Sequence, residues 1–417
     1  MTRLIIDPLT RVEGHGRVEL LLSNGRLDDV QVRMLESPRL FEKIVVGRQY
    51  VEVADLVCRI CAICSAVHKL TALEAIERAL DVDIPLTAST VRELLLLGGH
   101  IQSHALHLFC LVLPDFSGAN SVVELLKQED TLAKAGLELK AFGNHIQEVA
   151  GGRVIHPVNP VVGGVAYRPQ RQLLTELLAG LEAWQQKWPA IVSEFVTRAR
   201  FPAANVAAGI PLATASAEAF ALQGQTLWVG RGKNIPAADY RKLLTEESCP
   251  ESYAKLSCSA DGPLLVGALA RARLAKERGL AYAPELEQES IYANNHAQLG
   301  EIGWALGRAR DLVELLQNTS VKAPLLTKVG PPEGGVGTAV MEAPRGLLVH
   351  QYVIDEWGYV AAADVVTPTA INQRTMKDQI LADLAGETDT TQMRLVAEQI
   401  VRAFDPCISC AVHLLEI

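Results

Sequence analysis

Alternating apolar and polar positions near the start of the chain predict a β-hairpin. In Arg17–Leu22 and Val30–Met34 every second residue is apolar, as expected of strands that bury one face. Asn24 and Gly25 lie between these segments, and the Asn-Gly pair is typical of the type I′ turn that joins two antiparallel strands. The sequence therefore predicts two paired strands close to the N-terminus.

Segments with a helical spacing of apolar residues fill most of the remaining chain. They lie near 89–112, 120–149, 170–198, 284–317, 373–386 and 389–404. The first three are long enough to pack as a helix bundle at the centre of the molecule. Residues 201–285 mix glycine, proline and short apolar runs, which predicts an irregular, partly β excursion. A second hairpin is predicted with strands near 346–354 and 359–366. The predicted fold class is α+β, predominantly helical, with one domain over residues 1–417 and β-hairpins at its periphery.

Two Cys-x-x-Cys motifs stand at opposite ends of the chain, and each is followed by a histidine. The first is Cys61–Cys64 with His68, and the second is Cys407–Cys410 with His413. Two intervening residues let one tight turn direct both sulfurs at a single ion, and four thiolates suit zinc, iron–sulfur or nickel. If the pairs meet, the site lies in the interior of the fold. Ser65 is predicted to cap the helix that follows the first pair.

Composition narrows the class of protein. Of 417 residues, 49% are hydrophobic and 21% are charged, which is enough for a large buried core. The net charge of -9 argues against nucleic acid as a partner. The N-terminal residues lack the apolar stretch of a signal peptide, and the apolar window Leu94–Leu113 contains histidines that would be costly in lipid. We therefore expect a cytoplasmic protein with no membrane span, whose eight cysteines are metal ligands or buried thiols.

Four motifs occur along the chain in the order Arg11–His15, Arg59–Cys64 with His68, Glu342–Gly346, and Asp405–Cys410 with His413. Together they resemble the motifs of a known family, the large, catalytic subunit of nickel–iron hydrogenases. Any one motif alone is a weak signal, but the ordered set is specific, and the resemblance extends from about residue 3 to the C-terminus. It implies a reversible, heterolytic cleavage of dihydrogen into protons and electrons.

The resemblance also implies a ligand set. Nickel would bind all four sulfurs, with Cys61 and Cys407 as terminal ligands and with Cys64 and Cys410 bridging nickel to iron. The iron would carry carbon monoxide and cyanide ligands, which no side chain supplies. Soft thiolates suit nickel, and a terminal thiolate can accept a proton. From the spacing of the cysteines alone, a structural zinc site or unligated core thiols remain open.

Further catalytic and cofactor-binding residues follow from the same resemblance. Glu13 would take a proton from a terminal cysteine and pass it outward; the alternative is that it only pairs with Arg11 or caps a turn. Arg345 would place its planar cation over the cyanide ligands and the open metal face; the alternative is a surface salt bridge. Thr367 and Pro368 would lie beside the diatomic ligands, where the threonine could donate a hydrogen bond; an ordinary turn threonine is the alternative.

The two trailing histidines have different implied roles. By resemblance, His68 would hydrogen-bond a bridging sulfur. His413 and Glu36 would bind a separate octahedral ion, magnesium; a solvated strand residue is the alternative for Glu36. Cys58 is interpreted as an additional thiol near the site and not as a nickel ligand. Three histidines on one helical face are expected to pack or hydrogen-bond within the bundle and not to bind zinc: His100, His104 and His107.

The electrons need a route out of the protein. Beyond the four predicted nickel ligands the sequence holds no second cluster motif, and no glycine-rich dinucleotide fingerprint. By resemblance, the partner is an iron–sulfur small subunit, bound through a large apolar interface, with further electron-transfer subunits beyond it. Two alternatives stay open at this point: a hydrogen sensor built on the same site, and a zinc-stabilised structural subunit.

Overall fold

Helices dominate the architecture of the chain. The computed structural model describes residues 2–37, 40–215, 220–230, 232–249, 252–280 and 289–412. Its α-helices are α1 (Phe41–Val45), α2 (Tyr50–Val57), α3 (Ser65–Ala79), α4 (Leu86–Ala105), α5 (Val122–Lys127), α6 (Thr131–Gly151), α7 (Arg171–Arg198), α8 (Ala268–Glu277), α9 (Ala293–Asn318), α10 (Pro368–Asp383), α11 (Thr390–Ala403) and α12 (Ile408–Ala411). A π-helix, Leu106–Val112, continues α4, and two 3₁₀ segments follow at Leu113–Phe116 and Ala237–Lys242.

The central bundle is built from the long helices, as predicted. Helix α4 packs against α6 and α9, and α7 packs against α9. The segment Leu86–Phe116 is long and apolar enough to cross a membrane, but 89% of its most apolar window is buried inside the fold. It is the buried helix that the sequence predicted.

A glycine allows the closest approach within the bundle. A Cβ on Gly143 of α6 would lie 2.6 Å from the backbone nitrogen of Gln102 in α4, which is far inside van der Waals contact. We expect Gly143→Ala to push the two helices apart and to lower the free energy of unfolding by about 1–3 kcal/mol. Chemical denaturation measures this change. Gly307→Ala is the control: its Cβ would meet only the end of a flexible glutamine side chain at 3.4 Å, so unchanged or slightly increased stability is expected. Equal effects of the two substitutions would contradict the close-packing interpretation.

The strands form small sheets around the bundle. They are β1 (Thr2–Ile6), β2 (Gly16–Ser23), β3 (Arg26–Met34), β4 (Pro160–Val161), β5 (Gly164–Val165), β6 (Ile210–Ala215), β7 (Gln223–Gly224), β8 (Thr226–Val229), β9 (Lys233–Pro236), β10 (Thr245–Ser248), β11 (Lys255–Cys258), β12 (Leu264–Leu265), β13 (Gly335–Ala343), β14 (Gly346–Ile354) and β15 (Val360–Val366). The sheet orders are β1-β2-β3, β15-β14-β13-β7, β12-β6-β8-β9, β10-β11 and β4-β5.

Both predicted hairpins are confirmed. Strands β2 and β3 pair antiparallel, and Asn24 and Gly25 have φ values of 52° and 76°, the left-handed conformation that a type I′ turn requires at both central positions. Strands β14 and β15 pair antiparallel as well. The sequence analysis predicted neither β1 nor β13. Strand β13 pairs antiparallel with β14, from the Gly335–Ile354 pair at one end to the Ala343–Gly346 pair at the other.

The excursion at 201–285 is more regular than expected. It contains the four-stranded sheet β12-β6-β8-β9 and an unpredicted helix, α8. This helix is buried on almost every side, so it shows no polar stripe that would reveal its period. Helix α9 begins at Ala293; the predicted start near 284 lies outside the described residues. That the whole chain is one domain stays a prediction.

Candidate metal centre

The two cysteine pairs meet in the main core, as the sequence predicted. The Sγ atom of Cys407 lies 3.3 Å from that of Cys61, 3.9 Å from that of Cys64 and 2.9 Å from that of Cys410. All four sulfurs lie within 4.8 Å of one another, and all four residues are buried. Sulfurs bound at about 2.3 Å to one tetrahedral ion would be roughly 3.8 Å apart. The four thiols therefore form a pocket of the right size for one soft ion.

The first pair is positioned by the junction between α2 and α3. Cys64 occupies the position just before α3, where the positive end of a helix dipole favours a thiolate. The sequence suggested that Ser65 caps α3, but Ser65 is the first residue inside that helix. Its hydroxyl instead accepts a hydrogen bond of 3.2 Å from the backbone N–H of His156.

The second pair is held by α10 and by an unusual backbone. The backbone N–H of Cys407 donates to Thr369 Oγ1 at 2.9 Å, a contact that sequence reasoning missed. Asp405, two residues earlier, has a φ of 50°, which is uncommon for any residue but glycine. Such conformations persist where the surroundings enforce them, and they concentrate at functional sites.

The N-terminal motif packs directly on the C-terminal one. The carbonyl of Glu13 accepts a hydrogen bond from the N–H of Ile408 at 3.1 Å, and its Oε2 accepts one from the N–H of Ser409 at 3.1 Å. Arg11 pairs with Asp115 instead of with Glu13. The carboxylate of Glu13 is thus anchored beside the second cysteine pair.

Gly14 makes this close contact possible. Its φ is 82°, and a Cβ there would lie 2.8 Å from the Cβ of Ile408. We expect Gly14→Ala to displace the second cysteine motif, to lower the nickel content per chain and to destabilise the fold by about 1–3 kcal/mol. Metal analysis and thermal unfolding measure the two effects. Gly25→Ala is the matched control, because its φ is also positive at 76° and nothing lies within 4 Å of its Cβ position. It should lose stability but keep its nickel, and an equal loss of nickel in both variants would contradict the prediction.

Arg345 is buried beside the sulfurs, so it is not a surface salt bridge. Its Nη1 donates to Cys64 Sγ at 3.6 Å and to Ser103 Oγ at 2.8 Å, and its Nε donates to Asp405 Oδ1 at 3.2 Å. Burial acts to raise the pKa of Asp405, but the Arg345 charge, together with His107, His104 and a hydrogen bond from Gln298, holds that pKa below its usual value. Asp405 is therefore an anion that fixes the guanidinium next to Cys64.

Two buried donors near the sulfurs have spare hydrogen-bonding capacity within the described part of the chain. The Oγ1 of Thr367 makes no hydrogen bond, and the Nη2 of Arg345 makes none beyond an ion-pair contact of 3.2 Å with Asp405 Oδ1. Thr367 directly precedes α10 and Pro368 is the first residue of this helix, whose Thr369 holds the backbone of Cys407. Buried polar groups usually have a partner, so these donors fit a bound group that accepts hydrogen bonds.

His68 lies one helical turn after Cys64. Its Nδ1 is 3.1 Å from Nε2 of His350, and Nδ1 of His350 is 2.7 Å from the hydroxyl of Tyr352. His350 and Tyr352 belong to β14, and sequence reasoning had singled out neither. The three side chains form a buried hydrogen-bonded row beside the first cysteine pair.

The predicted magnesium ligands are only partly described. The Oε2 of Glu36 accepts a hydrogen bond of 3.1 Å from the backbone N–H of His15. His413 lies outside the described residues.

The bundle histidines have protein partners, as expected, and so does Cys58. The thiol of Cys58 donates to the carbonyl of Asp55 at 3.3 Å, and burial raises the pKa of this thiol. Nε2 of His104 lies 2.8 Å from a carboxylate oxygen of Glu301. The other two bundle histidines likewise have partners on the protein: Leu96 for His100, and Gln298 and Arg402 for His107.

The electrostatics of the four thiols call for a cation. Hydrogen bonds with Cys407 and Cys410 lower the pKa of Cys64 well below its ordinary value, and the charge of Arg345 adds to this effect. Burial raises the pKa of Cys407 and of Cys410 well above the ordinary value. Four thiolates in such a space repel one another unless a metal ion neutralises them.

Fold and site together define a metalloprotein that holds its ion with thiolates from both ends of one chain. Residues 39–136 and 304–413 match the family described as Nickel-dependent hydrogenase, and residues 3–36 match the family described as HoxL-like. Sulfhydrogenase 2 subunit alpha of Pyrococcus furiosus is 37% identical over 99% of each chain. Sulfhydrogenase 1 subunit alpha of the same organism is 33% identical, over 99% of this chain and 98% of the relative.

The solved structures agree with these sequence matches. The crystal structure of an NAD+-reducing [NiFe]-hydrogenase in its H2-reduced state superposes with a TM-score of 0.87 and 29% identity, over 99% of this chain and 100% of that one. The chain belongs to the nickel-dependent hydrogenase family, as its large subunit. It is an oxidoreductase that acts on dihydrogen, and the resemblance read from the four motifs is confirmed. Both sulfhydrogenase relatives are named as alpha subunits.

Proposed function

We propose that this chain cleaves dihydrogen heterolytically and reversibly at a nickel–iron centre bound by its four clustered cysteines. All four cysteines would hold the nickel, with Cys61 and Cys407 as its terminal ligands and with Cys64 and Cys410 shared with the iron. One observation carries the proposal: two buried cysteine pairs from opposite ends of the chain bring four sulfurs within 4.8 Å of one another. Soft thiolates are the donors that nickel favours.

The chain's own residues move the proton. The bound centre supplies the redox chemistry of dihydrogen, and the Sγ of Cys407 accepts the proton that cleavage releases. Glu13 stands next, because its backbone and its carboxylate both contact the segment that follows Cys407. Glu13 is half-buried whereas Cys407 is buried, so the relay leads from the core toward the surface. A carboxyl in this place acts as a general base toward the thiol and as an acid toward water.

Buried donors orient the diatomic ligands. The cyanide ligands on the iron would accept hydrogen bonds from the Oγ1 of Thr367 and the Nη2 of Arg345. Thr367 Oγ1 is buried without another hydrogen bond among the described residues, and Arg345 Nη2 has only its ion-pair contact with Asp405. Pro368 adds an apolar wall without a backbone N–H. His68 supports the first cysteine pair from the following turn of α3. These contacts would hold the iron ligands in one orientation and exclude water from the open face.

A separate magnesium ion completes the site in this proposal. Glu36 supplies a carboxylate and His413 an imidazole, and hard oxygen ligands are what magnesium prefers. Glu36 follows β3, and its carboxylate is tied to the backbone of His15, two residues after Glu13. The ion would thus brace the N-terminal motif against the C-terminal end of the chain.

Electrons leave through other chains of the assembly. We infer an iron–sulfur small subunit as the immediate partner, because the relatives of this chain are alpha subunits of larger enzymes. Further electron-transfer subunits carry the electrons to the acceptor. The structural relative is described as NAD+-reducing, and an acceptor of this soluble type supports a cytoplasmic location.

Metal analysis combined with infrared spectroscopy tests the proposal on the purified assembly. We expect nickel and iron in equal amounts, together with carbon monoxide and cyanide stretching bands and an exchange of dihydrogen with deuterated water. Zinc alone, without those bands, would exclude the nickel–iron centre. Isotope exchange without those bands would exclude the proposed carbon monoxide and cyanide ligands but would still support a nickel site.

A further inference from the structure

A buried arginine of α8 connects the helix bundle to the β13–β14 hairpin, whose turn contains Arg345. Arg271 is 1% exposed. Its Nε and Nη2 lie 2.5 and 2.8 Å from the two carboxylate oxygens of Glu301 in α9, and its Nη1 lies 2.6 Å from Oε2 of Glu342 in β13. One side chain therefore joins three elements that are distant in the sequence.

The remaining donors of Arg271 hold the turn of the hairpin itself. Nη1 also donates to the carbonyl of Ala343 and Nη2 to the carbonyl of Pro344, each at 3.3 Å. A guanidinium has five N–H donors in a rigid, planar fork, and here all five have an acceptor. Pro344 directly precedes Arg345 in the chain, so this fork fixes the backbone from which Arg345 extends.

The two carboxylates are anchored in turn. Glu301 lies 2.8 Å from Nε2 of His104, and Oε1 of Glu342 accepts the backbone N–H of Thr214 at 2.7 Å. Burial acts to raise the pKa of Glu301, but the charge and hydrogen bonds of Arg271, together with those of His104, lower that pKa to about 2. Burial raises the pKa of Glu342 despite the same arginine. One cation thus serves two buried acids, and a buried ion cluster of this kind is often no more stable than apolar residues of the same volume. Its use lies in the geometry that it enforces.

We propose that Arg271 is a positioning residue that fixes the Pro344–Arg345 turn and thereby holds the Arg345 guanidinium against Cys64 and Ser103. This inference rests on the role given to Arg345 under the proposed function. Arg271 itself contacts no sulfur in the described structure. It acts through Arg345, whose Nη1 reaches Cys64 Sγ at 3.6 Å and Ser103 Oγ at 2.8 Å.

Arg271→Lys is the informative substitution. Lysine keeps the positive charge but offers a single point of donation instead of a fork, so it cannot hold both carboxylates and both carbonyls. Displacing a catalytic group by about 1 Å can reduce turnover by up to about 100-fold. We therefore expect a 10- to 100-fold loss of turnover per bound nickel in the assembled enzyme, with nickel content retained.

Arg92→Lys is the matched control. Arg92 is also buried, pairs with both oxygens of Glu77 at 2.6 and 2.7 Å, and donates to the carbonyls of Val161 and Gly164 at 2.7 and 2.9 Å. It precedes Ser103 by about 16 Å along the axis of α4. Arg92→Lys should lower thermal stability as Arg271→Lys does, while turnover per nickel stays unchanged.

Two further measurements separate positioning from general destabilisation. Crystal structures of the assembled variants should show the Arg345 Nη1 moved away from Ser103 Oγ in Arg271→Lys and unmoved in Arg92→Lys. A double-mutant cycle with Arg345→Lys should be non-additive, so that Arg271→Lys causes little further loss once Arg345 has been replaced. If Arg271→Lys prevents assembly, Glu342→Gln removes one ion pair without changing side-chain shape and should show a smaller effect of the same kind.

The outcomes distinguish this inference from the proposed function. If Arg345→Lys keeps full turnover, the role proposed for Arg345 is wrong. If Arg345→Lys loses turnover but Arg271→Lys and Glu342→Gln do not, or if the losses multiply in the double variant, only the positioning role of Arg271 is overturned.

Discussion

Cys407→Ser should lose its nickel and all turnover while the chain remains folded. The Sγ of Cys407 lies within 3.9 Å of the sulfurs of the other three cysteines, so its loss should affect the whole proposed ligand set. A serine hydroxyl is a hard donor that stays protonated, and it cannot replace a soft thiolate. The backbone hydrogen bond from residue 407 to Thr369 Oγ1 does not depend on the side chain. Nickel content, isotope exchange and circular dichroism measure the three parts of this prediction.

Cys58→Ser is the control for that experiment. Cys58 is buried near the first pair, and its thiol donates to the carbonyl of Asp55, a bond that a serine hydroxyl can also make. Nickel content and turnover should therefore be unchanged. Full nickel retention in Cys407→Ser would show that the four sulfurs do not form the ligand set.

Glu13→Gln should keep the metals but slow proton exchange by about 10²- to 10⁴-fold, the range of a lost general acid–base group. The amide oxygen can still accept the hydrogen bond from Ser409 that Oε2 accepts now at 3.1 Å, so the second cysteine motif stays in place. The amide cannot carry the proton. Exchange between dihydrogen and deuterated water, normalised to nickel content, measures the effect.

Glu13→Asp tests whether the carboxyl or the contact matters. It retains an ionisable group on a shorter stem, and part of the exchange rate should return. Normal exchange in Glu13→Gln would show that Glu13 is not part of the proton relay. Loss of nickel in that variant would show instead that Glu13 serves to hold the second cysteine motif in place.

Local rules were sufficient for some parts of this fold. The type I′ turn at Asn24 and Gly25 follows from two adjacent residues, and the long bundle helices follow from the spacing of apolar residues. The meeting of the two cysteine pairs could be expected because each pair alone offers only half of a four-sulfur site. These signals lie in short stretches of sequence, which a single chain displays directly.

Other parts depend on contacts that no short stretch displays. Helix α8 was missed because burial on nearly all sides removes the polar stripe of an amphipathic helix. Strand β13 is buried on both faces along most of its length, so it lacks alternation. The cluster of Arg271, Glu301 and Glu342 joins residues 30 and 71 positions apart, and such spacings form no recognisable motif.

The meeting of the chain ends has a consequence for the mechanical integrity of the molecule. A metal bound by both Cys61 and Cys407 would cross-link two residues that are 346 positions apart, as a disulfide would. Closing so long a loop lowers the conformational entropy of the unfolded chain. By the relation used for disulfide cross-links, this stabilises the folded state by roughly 5–6 kcal/mol. The ion that activates dihydrogen would therefore also stabilise the fold, and its removal should destabilise the packing of the N-terminal and C-terminal segments together.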